Sequence, residues 1–292
     1  DLAFHECPIL TSVSFLNCHK LKTIKVGAFY FCVNLISVKI PDTVETIHPS
    51  VFRKCSSLKE VKLPKQLTII NNTMFAYCCA LKSIELPETL TEICTYSFMY
   101  CCSIESIHIP KKVEKIENYA FLYCYKIKYF SIDDKNEHFS IFDGILAPIE
   151  KNEIINYPPN KDSISYEIPN NIKNLRGYSF CYCINLKHIT IPNSIETIPA
   201  AVFQNCQKLE SVTILGNCKI GQQNFNYCYD LVSIVYLGTN DAYLAEIMSL
   251  NYNSITVYVP NNYISDSFCN YSVSKTYDIL CRAIHHKCTK CN

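Results

Sequence analysis

Tryptophan is missing from this 292-residue chain, arginine occurs only at Arg53, Arg176 and Arg282, and there are six glycines. Each scarcity closes off a class of function. With 27 Lys plus Arg balanced against 26 Asp plus Glu, and so few arginines, no cationic field exists to hold a phosphate backbone, so nucleic acid is not an expected partner. The glycines, at 27, 144, 177, 216, 221 and 238, are too scattered for a phosphate-binding glycine loop. Neither G-x-S-x-G nor H-E-x-x-H occurs, and the eight histidines are dispersed. No apolar run reaches the ~18 residues that a membrane-crossing helix requires, and Asp1 to Cys7 shows no basic region leading into an apolar stretch. The chain opens on Asp with a repeat already under way at Phe4, so an N-terminal piece is expected to be missing.

What is abundant is apolar surface, at 49% of residues against 18% charged, which predicts a folded core. It is distributed periodically. Phe29, Phe52, Phe75, Phe98 and Phe121 stand 23 apart, as do Phe180 and Phe203, and Phe225 follows after 22. A cysteine lies three residues after each: Cys32, Cys55, Cys78, Cys101, Cys124, Cys183, Cys206 and Cys228. Two truncated repeats, Phe4 with Cys7 and Phe15 with Cys18, bring the total to ten. The whole period reads F-x-x-C-x-x-L-x-x-I-x-I-P-x-x-V-x-x-I.

Within it, L-x-x-I-x-I alternates with the period of a short strand, and the following Pro ends pairing because it has no N–H. One strand per repeat is predicted, with a single helical turn through F-x-x-C bringing the chain back. A lone repeat cannot bury its apolar ring, so the repeats must stack into columns of Leu, Ile, Phe and Cys.

A period of roughly 20–29 residues with one strand each is the leucine-rich-repeat class. With I-P after the strand and F-x-x-C in the return, the chain resembles the BspA-like surface antigens over residues 4 to 275. The resemblance implies a leucine-rich-repeat solenoid, a curved stack of short parallel strands with short helical or irregular return segments. It also implies adhesion to host proteins or other cells, at the cell surface or after secretion. A cytoplasmic, intracellular scaffold for other proteins is the alternative, and it stays open. No enzyme and no cofactor is expected.

The expected organisation is a repeat array over 1–235, a C-terminal cap over 236–280 and a Cys-rich tail over 281–292. Between Phe121 and Phe180 the array carries a widened rung at 133–179, in which Asp133 replaces the strand's Pro and Asp143-Gly144 signals a hairpin turn. In the cap, Tyr243 to Leu250 suits a short helix and Ile255 to Val259 a final strand. In the tail, Cys281, His285, Cys288 and Cys291 have spacings able to chelate zinc, a weak signal set against a flexible or disulfide-linked stalk. Asn71-Asn72-Thr73 and Asn270-Tyr271-Ser272 fit the N-glycosylation rule.

The 19 cysteines allow two readings. Ten repeat at one position and stack at about 4.8 Å, either as buried free thiols or as disulfides between rungs. Cys79 and Cys102, beside that column, are the first pair to suspect. For ligand binding, the residues between the inward apolar side chains of each strand face outward on the inner curve. These candidates are Lys39, Glu60, Lys62, Ser83, Glu85, Ser106, His108, Tyr129 and His188. A polar face of hydroxyls and mixed charge suits weak or carbohydrate-like contacts better than a deep apolar pocket, and the resemblance implies as ligand a protein or glycan of a host cell or the extracellular matrix. His188 alone reads as a solvated histidine, because no partner for a catalytic base is evident.

Overall fold

A computed structural model describes residues 1–240, 242, 255–268 and 271–275. The chain packs as two compact units, Asp1–Glu150 with Asn156–Lys161, and Lys151–Ile155 with the described residues from Asp162 onward. Both are built from stacked rungs of short parallel strands, the leucine-rich-repeat architecture that the period predicts.

Except at one rung of the first unit, described below, the strands pair with their equivalents one period later. Ser37, Val38 and Lys39 lie opposite Glu60, Val61 and Lys62, and Tyr129–Ile132 lies opposite Ser106–Ile109 in the same way. The inward residues are buried and their neighbours exposed, as strand alternation demands. In the second unit the equivalent sheet runs through Ser165–Glu167, His188–Ile191, Ser211–Ile214, Ser233–Tyr236 and Thr256–Val259. Thr256–Val259 fulfils the strand expected at 255–259, but it is not the last, since Tyr271–Lys275 pairs parallel to it. The helix expected at Tyr243 to Leu250 lies outside the described residues.

Two details differ from the sequence reading. First, the V-x-x-I segment forms a second strand of two residues, as in Thr46–Ile47 beside Thr23–Ile24, and Glu92–Ile93 between Ile69–Ile70 and Lys115–Ile116. Its isoleucine enters the core, with Ile47, Ile70 and Ile93 wholly buried. Second, among the described residues no return segment is helical. The residues two before and two after each ladder Phe have positive φ, for example Thr73 (54°) and Tyr77 (66°), or Tyr96 (57°) and Tyr100 (59°). A right-handed helix needs negative φ throughout, so two left-handed residues within five positions preclude it. The amides instead bond from rung to rung, Phe52 N–H to the Met74 carbonyl at 2.9 Å and Phe75 N–H to Ser97 at 2.8 Å.

The core is a pair of columns. Phe29, Phe52, Phe75 and Phe98 stack with centroids 5.6, 5.6 and 5.4 Å apart and planes within 13° of parallel. Beside them, three column cysteines donate their S–H to the carbonyl of the Phe one rung earlier: Cys55 to Phe29, Cys78 to Phe52 and Cys101 to Phe75, all at 3.1 Å. These cysteines are free thiols.

The widened rung contains the expected hairpin. Phe139–Phe142 pairs antiparallel with Ile145–Pro148 around Asp143 (φ 48°) and Gly144 (φ 77°), two left-handed residues as a type I′ turn requires. Asp133, where the four preceding rungs have Pro, donates its N–H to the Ile109 carbonyl at 3.0 Å. Within the polar run Asp133-Asp134-Lys135-Asn136-Glu137, Asn136 is buried. Its amide nitrogen donates to the carbonyls of Pro110 and Val113 at 2.9 and 3.0 Å, and its oxygen accepts from the N–H groups of His138 and Phe139 at 2.9 and 2.8 Å.

Candidate functional site

Eight of the nine candidate residues lie in the first unit. Lys39, Glu60 and Lys62 are exposed on paired strands, Lys39 directly beside Lys62. Ser106, His108 and Tyr129 occupy the next strand pair, with Tyr129 54% exposed. His188 is exposed on a strand of the second unit. The tail residues Cys281, His285, Cys288 and Cys291 lie outside the described residues, as does Asn270. At Asn71 the side-chain amide donates to the Ile47 carbonyl at 2.7 Å, which engages the nitrogen that a glycan would need.

Between the strands Glu60–Lys62 and Ser106–Ile109 the sheet lapses. The intervening rung, Ser83-Ile84-Glu85-Leu86, follows the strand pattern yet forms no strand, and nothing in its sequence explains why. Its Ile84 is half-buried, whereas the equivalent Val38, Val61 and Ile107 are 2%, 6% and 1% exposed. The lapse opens a groove of about 880 Å³. Glu60, Lys62, Ser83, Glu85 and His108 line it together with Lys59, Lys65 and Glu88, over a floor that includes Ile84, Leu86 and Pro87. The groove thus gathers five of the nine candidates. Three carboxylates and three ammonium groups alternate around an apolar strip, an arrangement that accepts and donates hydrogen bonds without favouring one sign of charge.

The two histidines make similar cross-strand contacts. His108 Nδ1 lies 3.0 Å from Ser131 Oγ, and His188 Nδ1 lies 2.8 Å from Ser211 Oγ. At His188 the Glu210 carboxylate stands 4.0 Å away, which brings Ser, His and Glu together. The arrangement is not that of an acyl-transfer site. Lys187 takes the Glu210 carboxylate at 2.6 Å, and that bond holds the carboxyl below its usual range and the Lys187 ammonium above its own. The Ser211 strand is paired on both edges, so its amides are committed to the sheet and none is free to stabilise an oxyanion.

One group of metal-ligand types lies close together among the described residues: Glu92, Cys94 and Glu117. The Lys115 ammonium bonds both carboxylates at 2.6 Å and offsets one of their two charges. Burial, then the two carboxylates, push the Cys94 thiol up to about 12.

Sequence reasoning passed over the tyrosines that flank the ladder. Tyr77, Tyr100 and Tyr123 form a column with centroids 4.8 and 4.5 Å apart, and Tyr96 stacks on Tyr119 at 5.4 Å. Their signal was a Tyr two residues before or after Phe in successive periods, hidden while only Phe and Cys were aligned. The groove had no signal at all.

The pattern of BspA type leucine rich repeat regions matches this chain in six copies, over residues 1–101, 22–144 and 157–273. The chain belongs to that family. A search of curated proteins finds no match. Among solved structures, this BspA-type chain is similar to a leucine rich cell surface protein from Faecalibacterium prausnitzii, with 25% identity, a TM-score of 0.77, and coverage of 94% of this chain and 76% of that one. A leucine-rich repeat protein from Eubacterium ventriosum (21% identity, TM-score 0.71, 87% and 70% covered) shares the fold. The pneumococcal vaccine antigen PcpA does too (21% identity, TM-score 0.57, 88% and 71% covered). Among the described residues, no helix is long and apolar enough to cross a membrane.

Proposed function

We propose that this BspA-type protein is a non-enzymatic adhesion or binding protein of the cell surface or the secreted fraction. It recognises a protein or glycan of a host cell or the extracellular matrix on the strand face of its first unit. The observation that carries the reading is the groove at the lapsed rung, which collects Glu60, Lys62, Ser83, Glu85 and His108 into one concave polar surface. Membership of a repeat family and likeness to a protein described as a cell surface protein support the location. Lys39, Ser106 and Tyr129 extend the contact along the flanking strands, and His188 is a lesser contact of the second unit.

Binding here sums modest polar contacts, so single alanine substitutions cost little and combined charge reversal costs much. The test compares Glu60→Lys with Lys62→Glu and Glu85→Lys against a control reversing Lys111 and Glu114, exposed residues outside the groove. Attachment to host cells and to immobilised matrix proteins and glycans is measured for both. Loss confined to the groove set supports the reading; loss confined to the control set overturns it.

A further inference from the structure

We propose that Cys79 and Cys102 are a thiol modification site, closing reversibly into a disulfide between adjacent rungs. The two residues are 23 positions apart and occupy the same place in successive rungs, one step past the buried cysteine column. Both are half-buried, whereas their neighbours Cys78 and Cys101 are wholly enclosed. The Cys79 thiol donates to the Tyr100 carbonyl oxygen at 3.5 Å, and the Cys102 thiol donates to the same oxygen at 3.3 Å. A shared acceptor draws both sulfurs toward one point. Adjacent rungs are about 4.8 Å apart, inside the roughly 4.4–6.8 Å Cα window of a disulfide, so closure requires side-chain rotation and not backbone movement.

Access separates this pair from the column. Next to the pair, the Cys78 and Cys101 S–H groups are enclosed and bonded to the Phe52 and Phe75 carbonyls in the interior. Cys102 is only half-buried; burial pushes its thiol up to about 11, and the Tyr125 hydroxyl of the next rung partly offsets this, so exchange is expected to quicken as pH rises.

The oxidant is a small-molecule disulfide. One thiolate of the pair attacks a reagent sulfur and releases one reagent thiol. The second thiolate then attacks the mixed disulfide and releases the other. The protein gives up two protons and two electrons, the reagent takes them up as two thiols, and one S–S bond has replaced another. The closed loop encircles the rung whose strand is unpaired, together with Ser83, Glu85 and Glu88 of the groove. A covalent tie therefore falls where the sheet provides none. The inference does not depend on the ligand.

The experiment incubates the folded full chain with oxidised glutathione, quenches with acid, unfolds, alkylates the remaining thiols and maps cross-links by peptide fragmentation. The expected result is a Cys79–Cys102 link, protection of both residues from alkylation, and its reversal by dithiothreitol. Cys79→Ser and Cys102→Ser are each expected to abolish the link while Cys55, Cys78 and Cys101 stay fully alkylatable. If both Cys79 and Cys102 remain alkylatable, or both end as stable glutathione adducts, or either links instead to a column cysteine, the proposal is overturned. Should a serine variant fail to fold, the map of the unaltered chain decides alone.

Discussion

The Cys78 thiol donates to the carbonyl of Phe52 at 3.1 Å, and the Phe52 ring stacks at 5.6 Å on that of Phe75, the residue three before Cys78. Sulfur and ring thus tie the same two rungs together by different forces. The Phe52 carbonyl also accepts the Cys55 N–H at 3.1 Å, so the thiol takes up its second lone pair, and the ring fills the space beside it.

Phe75→Ala is expected to destabilise the protein by about 3–5 kcal/mol, because the side chain is wholly buried between two neighbouring rings. Denaturant titration followed by circular dichroism reads this as a lowered midpoint. An unchanged midpoint would contradict the ladder.

Thiol ionisation predicts loss of stability in alkali. Burial first, then the Cys32 sulfur, pushes Cys55 up to about 12 from its ordinary 9.0, and Cys78 is raised further in the same direction. Between those values the unfolded chain releases protons that the folded chain keeps, so the stabilisation is complete below 9.0 and is lost as pH rises toward 12. Chemical denaturation at stepped pH should show the midpoint falling through this window, and Cys55→Ala should reduce the slope.

A carboxylate acts at the other end of the scale. The Lys115 ammonium, then the hydroxyl and amide of Thr95, hold Glu117 at about 2 against an ordinary 4.5. Its contribution is present above 4.5 and is lost as pH falls toward 2. Glu117→Gln should flatten acid denaturation across that interval without altering the alkaline limb.

Asn136→Ala strips partners from two amide N–H groups and two carbonyls at a buried corner of the widened rung. With each orphaned group costing about 1–3 kcal/mol and some relaxation, a loss of about 2–4 kcal/mol is expected. Faster amide exchange at His138 and Phe139 than at Ser140 to Phe142 would locate the damage.

The rungs were legible because Phe, Cys, Leu and Ile repeat at positions that packing alone dictates, and the hairpin because Asp143-Gly144 supplies the two left-handed residues its turn needs. The second strand was missed because two residues carry too little alternation to read. The expected helical turn was wrong because left-handed backbone at Thr73 or Tyr77 is not encoded by residue types that prefer it; neighbouring rungs impose it through hydrogen bonds. At the candidate site, the outward positions followed from strand alternation. The groove did not, since Ser83-Ile84-Glu85 matches its neighbours in pattern and differs only in pairing.

The pairing register advances by 23 residues from Ser37 to Glu60 and from Ser106 to Tyr129, and by 22 from Ser211 to Ser233, the one-residue difference being absorbed outside the strands. Because one period of sequence is one rung, recombination between two rungs within the 23-residue run from Phe29 to Phe121 removes or inserts whole periods while the columns of that run stay in phase. Excising residues 60–82, for instance, would join Lys59 to Ser83 at the same point of the repeat. Such a molecule changes the span of its polar face through copy number, and its lineage can lengthen or shorten the array without reinventing a core.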